Sequence, residues 1–188
     1  MADETSTLPL GPPAHSAWVA RFAGMVPPRA PVLDLACGGG RHTRLFAEAG
    51  HRVTAVDVDV SRLGDLAENP LVEAVPADLE GGEPFPLTAR TFGGVVVSNY
   101  LYRPLMEDLV RAVAPGGVLI YETFSEPNAA IGGRVTNPEY LLRHGELLEL
   151  VRGRLRVVAY EDLVEGIPGQ LAAVQRICAL RPSEGSED

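Results

Sequence analysis

Seven consecutive residues concentrate the chemistry of this chain: Asp34-Leu35-Ala36-Cys37-Gly38-Gly39-Gly40. Three glycines in a row let a backbone turn sharply, and a ligand can lie against them with no Cβ in the way. A dinucleotide would ask for G-x-G-x-x-G, whose third glycine permits close packing of helix on strand. With Gly38 and Gly40 in the first two places, the third is Thr43, so that pattern fails. It also gives Asp34 no task. Cys37 lies in the turn with no base identified beside it, and reads as a small packing residue ahead of a nucleophile. His42 reads as a packing or solvent-facing histidine.

Residue types exclude other chemistries. All 16 basic residues are arginine. A chain without lysine has no Schiff-base chemistry, no pyridoxal phosphate anchor and no P-loop lysine. The two cysteines, Cys37 and Cys178, form no Cys-x-x-Cys pair, so neither a zinc site nor a disulfide framework is expected. No metal site is expected from the pattern as a whole.

The elements that must position the glycine turn follow from periodicity. Residues 14–25 carry Trp18, Val19, Phe22 and Met25 on one helical stripe. Residues 32–36 (VLDLA) form a short buried strand, the turn follows, and a helix is expected over 41–49 with Leu45 and Phe46 inward and Gly50 as its stop. Strands are expected at 52–58, 72–76, 94–98, 118–123, 155–161 and 171–180. Ser61 is expected to cap a helix over 62–68. Helices are also expected from Pro104 to about Ala114 and over 139–151, whereas 78–92 reads as turn. Strands separated by helices imply right-handed crossovers and a mostly parallel sheet covered on both faces. The final pair lacks a helix between its strands and should form an antiparallel hairpin. The expected fold is therefore α/β, a three-layer sandwich around seven strands. Ligands of such sheets bind outside the carboxyl ends of the strands, beside strand one.

The run VLDLACGGGRHT resembles motif I, D/E-x-G-x-G-x-G, of the class I S-adenosylmethionine-dependent methyltransferases, which have a Rossmann-like fold. Asp34, Ala36, Gly38 and Gly40 occupy its four places, with Ala36 the one departure; alanine is tolerable there if that position has negative φ. The resemblance continues through Asp57, 17 residues after Gly40, through Asp78 and through the Pro115-Gly116-Gly117 turn. Within the class, Gly38–Thr43 and the Asp78-Leu79 pair look most like the small bacterial tellurite-resistance-type enzymes. The resemblance implies S-adenosylmethionine as cofactor and S-adenosylhomocysteine as product. It implies that Asp57 receives both ribose hydroxyls, a task that suits the two parallel acceptor oxygens of a carboxylate. Val58 would lie against the adenine ring, Asp78 would meet its amino group, and the Leu79 amide a ring nitrogen. Asp34 and the Ala36 carbonyl suit the methionine amine, Arg41 or the amides of the following helix suit its carboxylate, Cys37, Gly38 and Gly40 line the cofactor through the turn, and Asn99 lines the methionine end. Plainer readings stand beside these: a strand-end or capping Asp57, a turn-bracing Asp34, a turn residue at Asp78, a core Trp18.

Acceptor-site candidates come from the loops at the same sheet edge. They are Tyr100, Tyr102 and Arg103 after strand four, Glu122 and Phe124 at the end of strand five, Arg134 in the long 124–138 loop, and His144 beyond it. Arg134 and His144 are candidates to meet an anionic acceptor or to act as base. Each also has an ordinary surface reading, and Arg103-Pro104 reads equally as a helix start. No catalytic residue is assigned.

Length and charge bound the remainder. At 188 residues the chain is one domain's worth, with a methyltransferase unit over 14–181 and loose ends at 1–13 and 182–188. The formal net charge of −9 lacks the basic surface that phosphate-backbone binding requires. A small-molecule acceptor is therefore expected, with no nucleic acid and no membrane as partner, and a monomer or homodimer in the cytoplasm. Two rival readings are an NAD(P)-dependent oxidoreductase, weakened by Thr43 and by the lack of Tyr-x-x-x-Lys, and a catalytically silent S-adenosylmethionine-binding domain.

Overall fold

The computed structural model describes residues 15–183. The ends expected to be loose, 1–13 and all but two residues of 182–188, lie outside the described residues.

One seven-stranded sheet organises the chain, in the order β3-β2-β1-β4-β5-β7-β6. Its strands are β1 Val32–Leu35, β2 Val53–Asp57, β3 Val72–Pro76, β4 Phe92–Ser98, β5 Val113–Phe124, β6 Arg156–Ile167 and β7 Gln170–Leu180. All neighbours pair in parallel up to β5, and β7 runs antiparallel to both β5 and β6. The expected mostly parallel sheet with a C-terminal hairpin is what forms. β6 runs on to Ile167, beyond the span to 161 that the apolar pattern indicated, because its outer half is exposed on both faces and carries no continuous hydrophobic signal.

Side chains alternate across the sheet as the pleat requires. Leu33, Val95, Val97, Leu119 and Tyr121 face α3 (Met106–Ala112) and α5 (Glu146–Val151), whose Leu109, Leu147 and Leu150 close that layer. Val32, Val96, Val118 and Ile120 face α1 (Ala17–Ala23) and α2 (Arg41–Glu48), with Trp18, Val19, Phe22 and Phe46 closing the other. A short helix, α4 (Pro127–Ala130), interrupts the 124–138 loop.

Three local expectations are corrected. The cap of the 3-10 segment Val60–Glu68 is Asp59, whose Oδ1 accepts from the Ser61 amide; Ser61 is the donor. The helix expected over 139–151 exists only from Glu146. Gly145 adopts a left-handed φ of 71°, and Leu142 forms a parallel bridge to Ser125, so that stretch follows the sheet edge instead. Pro115-Gly116-Gly117 lies within β5 rather than before it.

A chain of clefts at the carboxyl edge

The β1–α2 turn is held by its neighbours. The Gly38 amide donates to Asp57 Oδ2 at 2.8 Å, joining the turn to the end of β2. Gly40 has φ +75°, and a Cβ there would stand 2.6 Å from Leu66 and 2.7 Å from Leu63, so any other residue would strain the backbone and push both leucines aside. Buried Asp34 accepts from the Thr43 hydroxyl at 2.6 Å. Thr43, the residue that breaks the dinucleotide pattern, thus serves the acid that the pattern ignores. Burial pushes the Asp34 carboxyl up to about 6, against the opposing pull of the Thr43 hydrogen bonds and of Arg41. The bracing reading of Asp34 holds, and the residue also lines a cleft. Ala36 contradicts the condition set for it: its φ is +52°. The β1 register and the Gly38 tether impose the left-handed conformation that a glycine would adopt without strain.

Four clefts follow one another along this edge. The first, about 330 Å³, runs over Ala36, Val58, Ala77 and Leu79, with Asp57 and Asp78 among its polar groups. Val58 is 71% exposed, an apolar side chain offered to the cleft with nothing over it. Asp57 Oδ1 also accepts from the Asp59 amide at 3.1 Å, and each carboxylate oxygen keeps a second lone pair. Apolar walls with carboxylates set among them fit a purine riboside. Asp78 is an exposed turn residue, its Oδ1 accepting from the Glu80 amide, and it lines the cleft as well.

The second cleft, about 340 Å³, shares Ala36 with the first and is lined by Asp34, Cys37, Gly38, Arg41, Asn99 and Arg134, among others. Arg41 donates to Ser98 Oγ at 2.8 Å, and Ser98 donates in turn to Glu122. Asn99 holds a left-handed φ of 55°, and its amide donates to the Glu122 carbonyl; asparagine tolerates that conformation better than most residues. Burial, with Asp34 and Asp57 nearby, pushes the Cys37 thiol up to about 12, which removes it as a nucleophile.

The third cleft, about 330 Å³, shares Arg41 and Asn99 with the second. Glu122, Phe124, Trp18 and Arg176 line it. Glu122 accepts from Ser98 at one oxygen and lies 3.3 Å from Arg176 at the other. Arg176 also meets Glu161 and Glu165. Trp18 is core as expected, its indole donating to the Ile177 carbonyl, and one edge of it reaches the cleft. The fourth and largest cleft, about 610 Å³, lies between residues 131–134 and the hairpin tip at 169–172, and shares Phe124 and Ala172 with the third.

The acceptor candidates therefore divide. Glu122 and Phe124 line the third cleft, Phe124 reaches the fourth as well, and Arg134 lines the second and the fourth. Tyr100 lies elsewhere: it lines the first cleft, where burial and then neighbouring Glu80 hold its hydroxyl well above its ordinary range. Tyr102 packs against the core. Arg103 is taken up by a brace, donating to both Glu146 oxygens and to the Glu139 and Leu141 carbonyls. His144 is 92% exposed at its side chain, pairs with Asp162, and lines none of these four clefts. Ser98, Glu80, Arg62 and Arg176 line the clefts without having been singled out. Arg176 had no sequence signal, because β7 places it beside Glu122 only after the hairpin folds.

His42 is buried and neutral. Desolvation lowers its pKa to about 3, and its Nε2 accepts from the Ser16 amide at the start of α1. Among the described residues no His/Cys/Asp/Glu group could hold a metal ion, and no helix is long and apolar enough to cross a membrane.

Residues 32–117 match a family described as a methyltransferase domain. The ubiquinone biosynthesis O-methyltransferase of Bordetella avium is 31% identical over 183 residues, covering 91% of this chain and 70% of that protein. The enzyme of the same name from Xanthomonas campestris is 31% identical, covering 82% of this chain and 64% of its own length. Among solved structures, TehB from Haemophilus influenzae shares the fold with a TM-score of 0.67 at 16% identity, covering 89% of this chain and 62% of TehB. A glycopeptide N-methyltransferase, MtfA, solved with S-adenosylhomocysteine, matches with a TM-score of 0.57 at 21% identity, covering 87% of this chain and 88% of MtfA. The chain belongs to the class I S-adenosylmethionine-dependent methyltransferases. That membership removes the oxidoreductase and silent-domain alternatives.

Proposed function

We propose that this chain methylates a small molecule held in the third cleft, with the methyl donor's adenosine in the first cleft and its amino-acid end in the second. Residues 14–181 act as one catalytic unit. The single observation that carries this placement is the Asp57 carboxylate, tethered to the glycine turn at the mouth of an apolar cleft. The sulfonium supplies an activated methyl group and a good leaving group when bound. The protein's residues then have mainly to position. Asp57 takes the ribose hydroxyls, Val58 and Leu79 flank the base, and Asp78 meets its amino group. Asp34 and the Ala36 carbonyl receive the ammonium group, while Arg41 and the amides opening α2 receive the carboxylate.

Sharing of Arg41 and Asn99 between the second and third clefts supports placing the acceptor beside the donor's reactive end. Correct alignment of two reactants supplies roughly 7–11 kcal/mol of barrier reduction. Trp18 and Phe124 exclude water from the acceptor, and Glu122 offers a carboxylate to any proton the acceptor must release. The acidic surface supports a small acceptor over nucleic acid, and two unpaired buried cysteines fit a reducing, cytoplasmic setting. Incubation with methyl-labelled donor and a metabolite panel tests the reading. Transfer to a small molecule is expected; label found only on RNA or protein would overturn it.

A further inference from the structure

We propose that Arg134 binds a carboxylate on the acceptor, so that the substrate is a small carboxylic acid with an apolar body. This rests on the placement of donor and acceptor given above.

Arg134 is the residue at which the second and fourth clefts meet. It has no carboxylate partner among the described residues. Most other arginines do, Arg44 with Asp65 and Arg90 with Glu73 among them. In a chain of net charge −9, a guanidinium left unpaired at the mouth of a site is an attractive centre for an anion.

The turn that carries it is built to hold still. Asn128 is fully buried. Its Nδ2 donates to the Val135 carbonyl at 2.7 Å, and its Oδ1 accepts from the Ala173 amide of β7 at 3.0 Å. The Gly133 amide donates to the Asn128 carbonyl at 2.9 Å. A Cβ at Gly133 would stand 2.2 Å from Asn128 Oδ1, so the chain on either side of Arg134 lies directly on the buried amide. Asn128 is thus a positioning residue, and a guanidinium presented from a fixed turn loses less freedom on binding.

Charge selects the class of anion. One guanidinium matches one carboxylate through two parallel hydrogen bonds. Glu122 and Glu165 of the neighbouring third cleft are matched there by Arg41 and Arg176, so that cleft adds no net positive charge to call for a second anionic charge. The fourth cleft, which joins the third at Phe124 and Ala172, supplies Ile131 and Leu171 for the far end of an apolar body whose reacting end lies in the third.

The test is calorimetric titration of benzoate, benzamide and phenyl phosphate into the full-length protein, with and without saturating S-adenosylhomocysteine. Benzoate is expected to bind at least tenfold tighter than benzamide, and tighter than phenyl phosphate. Arg134→Gln should lower benzoate affinity at least tenfold and leave S-adenosylhomocysteine affinity within twofold, with Arg134→Lys recovering part of the loss. Equal binding of acid and amide, no benzoate binding, or an undiminished Arg134→Gln would overturn the proposal. Tighter phenyl phosphate would replace the carboxylate by a phosphate, and lost S-adenosylhomocysteine affinity in Arg134→Gln would move Arg134 to the donor. If the wild type fails to bind S-adenosylhomocysteine, the donor placement fails by itself, and the benzoate–benzamide comparison without it still decides the anion claim.

Discussion

The Gly38 amide and the Asp57 carboxylate meet at 2.8 Å, so the acid assigned to the ribose is also the tether that shapes the glycine turn. Removing it therefore acts on two levels. Asp57→Ala should weaken S-adenosylhomocysteine binding about 100-fold, or about 3 kcal/mol, through lost charge-assisted hydrogen bonds and a loosened turn. Calorimetry on the variant measures this, and unchanged affinity would reject the ribose assignment.

Ala36 spends its φ of +52° in a region where alanine is strained by roughly 1–2 kcal/mol relative to glycine. Glycine offsets part of that gain with about 0.4–1 kcal/mol of additional unfolded-chain entropy. Ala36→Gly should therefore raise stability slightly, by up to about 1.6 kcal/mol in urea unfolding. Ala36→Val should lower it, because a β-branched residue tolerates positive φ poorly. A stabilised valine variant would contradict the strain.

Asp34 titrates near 6 when folded, against 3.8 for the free side chain, because burial disfavours its charge. The folded protein then holds this proton more tightly than the unfolded chain. The group's contribution is greatest below about pH 4 and is lost as pH rises through 6, a change on the order of 3 kcal/mol. An ammonium group bound beside Asp34 favours the ionised form. S-adenosylhomocysteine affinity should thus fall up to tenfold per pH unit below 6, with proton release on binding near that pH. Titrations in buffers of different ionisation enthalpy detect it, and Asp34→Asn should abolish it.

His42 works in the opposite direction. Its folded pKa of about 3 lies below the 6.5 of a free imidazole, so its contribution is fully present above pH 6.5 and is lost progressively as pH falls toward 3. His42→Ala should flatten the decline in stability between pH 6.5 and 4. It should also lower stability at pH 7 by about 1–3 kcal/mol, since the Ser16 amide loses its acceptor. An unchanged pH slope in the variant would contradict this account.

Arg103 and Glu146 form a structural brace. Burial works against ionisation of Glu146, yet the Arg103 guanidinium and the Arg143 amide and side chain overcome it and hold the carboxyl near 2. The pair is partly solvated, so Arg103→Ala should lower stability by only about 1–2 kcal/mol. S-adenosylhomocysteine affinity should not change. A large drop in affinity would restore Arg103 to the binding site.

The parts legible in the sequence are those encoded by neighbours in the chain. Asp34 through Gly40, the strand ending at Asp57 and the antiparallel final pair can each be read from a few adjacent residues. What escaped depends on contacts between distant segments. Arg176 reaches Glu122 across β5 and β7, and Arg103 reaches Glu146 over 43 residues. The helix expected from residue 139 begins only after Gly145, because pairing of Leu142 with Ser125 outweighed a helical apolar pattern. Positive φ at Ala36 was equally hidden, since it follows from the β1 register and from the tether between Gly38 and Asp57, 19 residues apart.

The donor's location is tested most directly by a crystal structure of the protein with S-adenosylhomocysteine. Both ribose hydroxyls are predicted to lie within hydrogen-bond distance of the Asp57 carboxylate, with the adenine over Val58 and the amino-acid end beside Asp34. A nucleoside bound with its sugar away from Asp57 would contradict the assignment of the clefts.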